Sequence, residues 1–309
     1  MKWKRSKGRQ GRDVIDIRGA EQPSGGASSG GGLGGLPIPG SMAGIGGTAG
    51  IVVLIVVIAI QVLGGGGESG FDLGPAFGGG AQAPGADDPA PIPPDQDPQR
   101  DIKEFSTYVF NDVQNTWAAI FKQDGKEYRH AQLVLYSDAV STGGCGGATS
   151  AVGPFYCSGD SRVYLDLSFY DEMKSQLGAP GDFAWAYVIG HELGHHVQNL
   201  LGTTDDVAGE ENSDNANELS VRTELQADCY AGVWAATVFK EGDLEEGDID
   251  EAFTATEAVG DDTLAREAGR RVNTDSFTHG SAEQRRHWFT AGYRSGDPSE
   301  CDTFSPDSI

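Results

Sequence analysis

An unbroken stretch of 21 uncharged residues at 43–63 (AGIGGTAGIVVLIVVIAIQVL) constrains this chain more than any other feature. A helix needs about 20 apolar residues to cross a bilayer core of ~30 Å, and few helices of soluble proteins are apolar on every face. A transmembrane helix is therefore expected over residues 41–63, with Gln61 near one end, where the interface hydrates it. Before it, residues 1–40 carry seven basic side chains against three acidic ones, then run into Gly, Ser and Pro without periodicity. That is the texture of a disordered basic tail. After it, residues 64–99 hold ten Gly, seven Pro and no Lys or Arg, and read as a flexible linker. By the positive-inside rule the tail is cytoplasmic and everything past Leu63 lies outside the cell membrane. A cleaved signal peptide fits poorly, because the apolar core is too long and no small-x-small site follows closely.

Residues 100–309 read as one folded domain. The net charge of −24, from 22 basic and 46 acidic residues, makes the protein a poor binder of nucleic-acid phosphates, so no nucleic-acid partner is expected. Phe105, Val109, Val113, Trp117 and Ile120 recur at helical spacing within residues 101–123. Two β-like stretches follow at 131–136 and 163–169, and the remainder is mainly helical. Cys145 and Cys157 bracket a glycine-rich loop and are expected to pair, which leaves Cys229 with Cys301. Four cysteines allow three pairings. The absence of any CxxC argues against a structural zinc site.

The chemistry centres on His191-Glu192-Leu193-Gly194-His195, inside an apolar-periodic run with Asp182 as a candidate N-cap and Gly202 as a stop. Histidines four apart share one helix face and can both reach one Zn²⁺. Glu192 is then placed to take a proton from water at the open side of the metal. A third ligand is required. Gln198 and Leu201 stand where a metzincin would need glycine and histidine, so that class is excluded. A second-helix carboxylate is the other solution. Glu224 is favoured over Glu218, Glu210 and Glu211 because Asp228, four residues on, can accept the outer N–H of a ligating histidine. His196 points away from the His191/His195 face and reads as structural, His130 as incidental, and His287 as packing or surface. His279 precedes a helix over 281–293. It reads equally well as loop decoration beside a Ser281/Gln284 capping box or, with Arg285, as an oxyanion donor.

The blocks CGGATSAVGPFYCSGDSRVYLDLSF, GDFAWAYVIGHELGHHVQNLLG, ELQADCYAGVWA, DSFTHGSAEQRRHWF and CDTF, which appear in order between Arg100 and Phe304, resemble the neutral zinc metallopeptidases of bacteria. Ser158 stands where that pattern has proline. The resemblance implies zinc on His191 and His195 with Glu192 catalytic. A more distant similarity to membrane-associated gluzincins implies Glu224 as third ligand and strengthens His279 and Arg285.

These observations together predict an α+β, zincin-like and mainly helical metallopeptidase domain with a small β-sheet, preceded by one transmembrane helix. Its substrate is expected to be a peptide or protein. The stretch 163–167 is expected to pair with extended substrate at a sheet edge, with Asp166 structural. The rival reading is a non-catalytic, zinc-stabilised binding module of the cell envelope, for which Glu192 would be superfluous.

Overall fold

The computed structural model describes residues 1–3, 13–19, 92–208, 215–305 and 309. The expected transmembrane segment at 41–63 lies outside the described residues. Among those described, no helix is long and apolar enough to cross a membrane.

The elements in chain order are β1 (Val14–Asp16), α1 (Arg100–Gln123), β2 (Gln132–Tyr136), β3 (Ala139–Ser141), β4 (Gly147–Thr149), β5 (Phe155–Cys157) and β6 (Arg162–Asp166). They continue with α2 (Phe169–Ser175), α3 (Asp182–Leu201), α4 (Thr203–Ala208), α5 (Ala216–Glu241), α6 (Asp248–Ala258), α7 (Asp261–Glu267) and α8 (Ala282–Ser295). One sheet has the order β1-β2-β6-β5. Its first three strands are parallel, and β5 runs antiparallel along β6 at the edge. β3 and β4 form a separate hairpin.

The sheet corrects three expectations. First, β6 is an interior strand paired on both sides, so it has no free edge for a peptide. The edge belongs to β5, three residues that read as part of a cysteine-bracketed loop. Central strands are the apolar ones, which is why the conspicuous VYLDL stretch is buried instead of exposed at an edge. Second, residues 13–19 are not a structureless tail. Val14 and Asp16 are buried, and β1 adds to β2 in the register Val14↔Leu133. Trp3 packs on Phe105 with ring centroids 5.4 Å apart. A single crossing at 43–63 would put these residues on the far side of a membrane from their own sheet. Third, the expected linker ends before Asp97, which is buried in the domain.

α1 buries the predicted Phe105, Val109, Val113 and Trp117 face and holds α3 through a Trp185 Nε1–H donated to Ser106 Oγ at 2.9 Å. α3 is apolar nearly all round, as befits a helix enclosed by α1, α5 and α6. Asp182 is its first residue and not its cap. Gly181 takes that position, and Glu251 of α6 accepts the Phe183 N–H at 2.9 Å. Gly202 ends the helix in the left-handed region at φ +90, as predicted. Both disulfides follow the expected pairing, Cys145–Cys157 and Cys229–Cys301.

The most extensive helix contact is α5 against α8. It depends on Gly292: a Cβ there would lie 1.9 Å from the Cys229 carbonyl oxygen. Backbone cannot yield that far without separating the helices. Gly292→Ala is therefore expected to destabilise the domain by ~3 kcal/mol in urea unfolding, the upper end of overpacking costs. An unchanged midpoint would refute this packing.

Candidate metal centre

The site is assembled where α3 and α5 cross. A Cβ on Gly194 would lie 2.8 Å from the Ala227 carbonyl oxygen, so the glycine inside the HELGH segment permits the close approach. That approach carries Glu224 of α5 to the His191/His195 face of α3. His191 Nε2 lies 3.1 Å from His195 Nε2 and 3.2 Å from Glu224 Oε2, and His195 Nε2 lies 3.4 Å from Glu224 Oε1. These three residues form a group able to hold a metal ion.

The far edge of each imidazole is fixed. His191 Nδ1 lies 2.8 Å from Asp228 Oδ1, and His195 Nδ1 lies 2.8 Å from Gln198 Oε1. Both partners accept, so both Nδ1 atoms carry the proton and both Nε2 lone pairs point at one spot. Two lone pairs and a carboxylate converging in a partly dehydrated site repel one another unless a cation lies between them. A tetrahedral ion bound at ~2.0–2.1 Å needs donors about 3.3 Å apart, which matches the three separations. Burial alone would lower the His191 pKa, yet Asp228 and Glu224 push it up to about 10. Burial would likewise raise Glu224, but His195 and His191 hold it well below the carboxylate range. The surroundings thus favour positive charge where the donors meet.

Asp228 is fully buried and serves three helices. It accepts from Tyr187 Oη at 2.5 Å, from His191, and from Arg285 Nε at 2.8 Å and Nη2 at 3.0 Å. Burial would raise its pKa, but Arg285 and His191 lower it, so it stays ionised. Arg285 also donates to Tyr187 Oη and to the Val259 carbonyl, and its Nη2 lies 3.4 Å from His191 Nδ1. Arg285, expected with His279 as an oxyanion donor, thus braces Asp228 while also lining the cleft, with Nη2 3.9 Å from Glu224 Oε2. His279 is different. Asp261 accepts its backbone N–H at 2.7 Å and lies 3.2 Å from its Nδ1, and the ring lines the cleft.

Glu192 is buried beside the histidines. Burial raises its pKa above the ordinary carboxylate value, and His191 and His195 only partly offset this. Such a carboxylate holds a proton more readily than a solvated one. The cleft has a volume of about 190 Å³, and Val152, Phe155, Phe169, Val188, Val259 and Leu264 line it beside His191, His195 and Glu224.

The other predicted residues fall as expected. His196 is structural: its Nε2–H donates to the Arg129 carbonyl, its Nδ1 accepts from Tyr156 Oη, and burial lowers its pKa to about 4. His287 is exposed. His130 is exposed and lies 3.3 Å from Asp13. Glu218 pairs with Arg222. Asp166 accepts the Ser168 and Asp138 N–H groups. Sequence reasoning missed Tyr187, Gln198 and Asp261. The first two were within reach, since Tyr187 precedes His191 by four residues and Gln198 follows His195 by three, one helical turn each. Asp261 is 18 residues from His279 and carries no such signal.

Comparison with known proteins identifies the family. The family described as Putative neutral zinc metallopeptidase matches residues 1–304. The Escherichia coli K12 protein YpfJ, itself uncharacterized, is 42% identical over 307 residues, covering 98% of this chain and 99% of that protein. The uncharacterized Mycobacterium tuberculosis H37Rv protein Rv2575 is 46% identical over 202 residues, 62% of this chain and 68% of that protein. No solved structure matches the chain. A match to the family over nearly the full length of the chain shows that it belongs to the neutral zinc metallopeptidase family.

Proposed function

We propose that the protein is a zinc-dependent endopeptidase that hydrolyses peptide bonds with Glu192 as general base. The observation that carries this reading is the convergence of His191 Nε2, His195 Nε2 and the Glu224 carboxylate at 3.1–3.4 Å, with Glu192 beside them. Zinc held by those three residues would supply a Lewis acid that lowers the pKa of water to about 7 and polarises a carbonyl.

The protein's own groups divide the remaining work. Glu192 takes a proton from the attacking water and passes it to the departing amine, a role suited to its raised pKa. Asp228 and Gln198 keep the two imidazoles in the tautomer that leaves Nε2 free. Arg285 and Tyr187 hold Asp228 in place. His279, oriented by Asp261, stabilises negative charge developing on the carbonyl oxygen. The β5 edge offers its backbone to an extended peptide, and the apolar wall of the cleft receives an apolar side chain. This division of labour is of the zincin kind. The two disulfides suit an oxidising compartment, outside the cytoplasm.

Two measurements test this reading. Glu192→Gln should retain bound zinc and lose at least ~100-fold in cleavage of an unstructured protein at neutral pH. Equal cleavage by variant and wild type would remove Glu192 from the chemistry. Asp228→Asn should weaken zinc binding by ~10–100-fold in competition with a chelator. Unchanged affinity would show that the brace on His191 is unnecessary.

A further inference from the structure

The two flanks of the apolar stretch are tied to one another. β1 hydrogen-bonds along β2 beyond its own ends, with Leu133 N–H donated to the Asp13 carbonyl at 2.7 Å and Ile17 N–H to the Leu135 carbonyl at 2.9 Å. Directly after β1, the buried Arg18 guanidinium closes on two carboxylates. It donates to Asp16 at 2.9 and 2.8 Å and to Asp97 at 3.2 and 2.7 Å. Lys103 Nζ adds a fourth charge, 2.8 Å from Asp97 and 3.3 Å from Asp16. The side chains of Arg18, Asp16 and Asp97 are almost completely buried. Breaking one partner out of such a cluster leaves uncompensated buried charge, which is strongly destabilising. Arg18 and Asp97, which lie in the described residues on either side of 43–63, are thus held in direct contact.

The flanking charges do not favour opposite sides either. The basic residues that orient a membrane helix lie within about 15–20 residues of its ends, and the nearest base before residue 43 is Arg18, whose charge is spent inside the domain. A stretch of 21 residues is long enough for one helical crossing and too short for two.

We propose that residues 1–19 are an integral strand and clasp of the peptidase domain, so that both flanks of residues 43–63 face the same compartment and this stretch does not carry the chain across a membrane. The inference rests on the clasp and the sheet, and it stands independently of whether the domain is catalytic.

The test uses the full chain expressed in bacterial cells, with a site-specific protease recognition sequence inserted either after Gly30 or after Gly80. Each variant is exposed to that protease in intact spheroplasts and in inverted membrane vesicles. The expected result is cleavage of both variants from the same side, whether that is the outer or the inner one. Cleavage of one from outside and the other from inside would overturn the proposal. In a second readout, purified protein cut after Gly30 is passed through gel filtration without denaturant. The N-terminal fragment should elute with the domain, and its release would show that β1 and the Arg18 clasp are not integral.

Discussion

The buried carboxylate of Asp228 is the interaction on which the rest of this structure depends. It receives hydrogen bonds from Tyr187 and His191 of α3 and from Arg285 of α8, while standing itself on α5. An isolated carboxylate at that depth would cost several kcal/mol to ionise, so the three donors and the charge are mutually necessary. Their arrangement fixes the angle at which the three helices meet. That angle brings Glu224, one turn before Asp228, against His191 and His195. The same residue therefore links fold and chemistry: what makes the helix crossing tolerable is what orients a ligating imidazole.

Close backbone contact is the second requirement. Gly194 lets α5 lie against α3, and Gly292 lets α8 lie against α5. In an ordinary helix pair 8–10 Å apart, a glutamate on one helix reaches histidines on the other only with an extended side chain. Here small residues on both seams shorten the reach, and the Cys229–Cys301 bridge secures the segment that follows α8 to α5.

The parts of the site legible in the sequence are those written in helical periodicity. His191 and His195, and Glu224 and Asp228, are each four residues apart, so their shared faces follow from 3.6 residues per turn. The cysteine pairing was legible from one short loop. What escaped had no local period. β5 is only Phe-Tyr-Cys, too short to show alternation, and it becomes a strand because β6 is there to pair with it. β1 is Val-Ile-Asp among basic residues, and its membership of the sheet depends on Leu133 to Leu135, more than a hundred positions away. Arg18 looked like one more base of a charged tail, and only its distance from Asp97 shows otherwise. Arg285 was noticed as a cation near the site, but its commitment to Asp228 is a matter of three-dimensional direction. The overall α+β class and the candidate metal ligands thus come from local pattern. The sheet order, the β5 edge and the packing of residues 13–19 come from long-range pairing.

The central claim is that His191, His195 and Glu224 hold one zinc ion. Diffraction from crystals of the zinc-loaded protein, recorded at the zinc absorption edge, tests it most directly. The account predicts a single strong anomalous peak per chain, bonded to both Nε2 atoms and to the Glu224 carboxylate. A peak seated on other residues, or one bound by the histidines with Glu224 turned away, would contradict it.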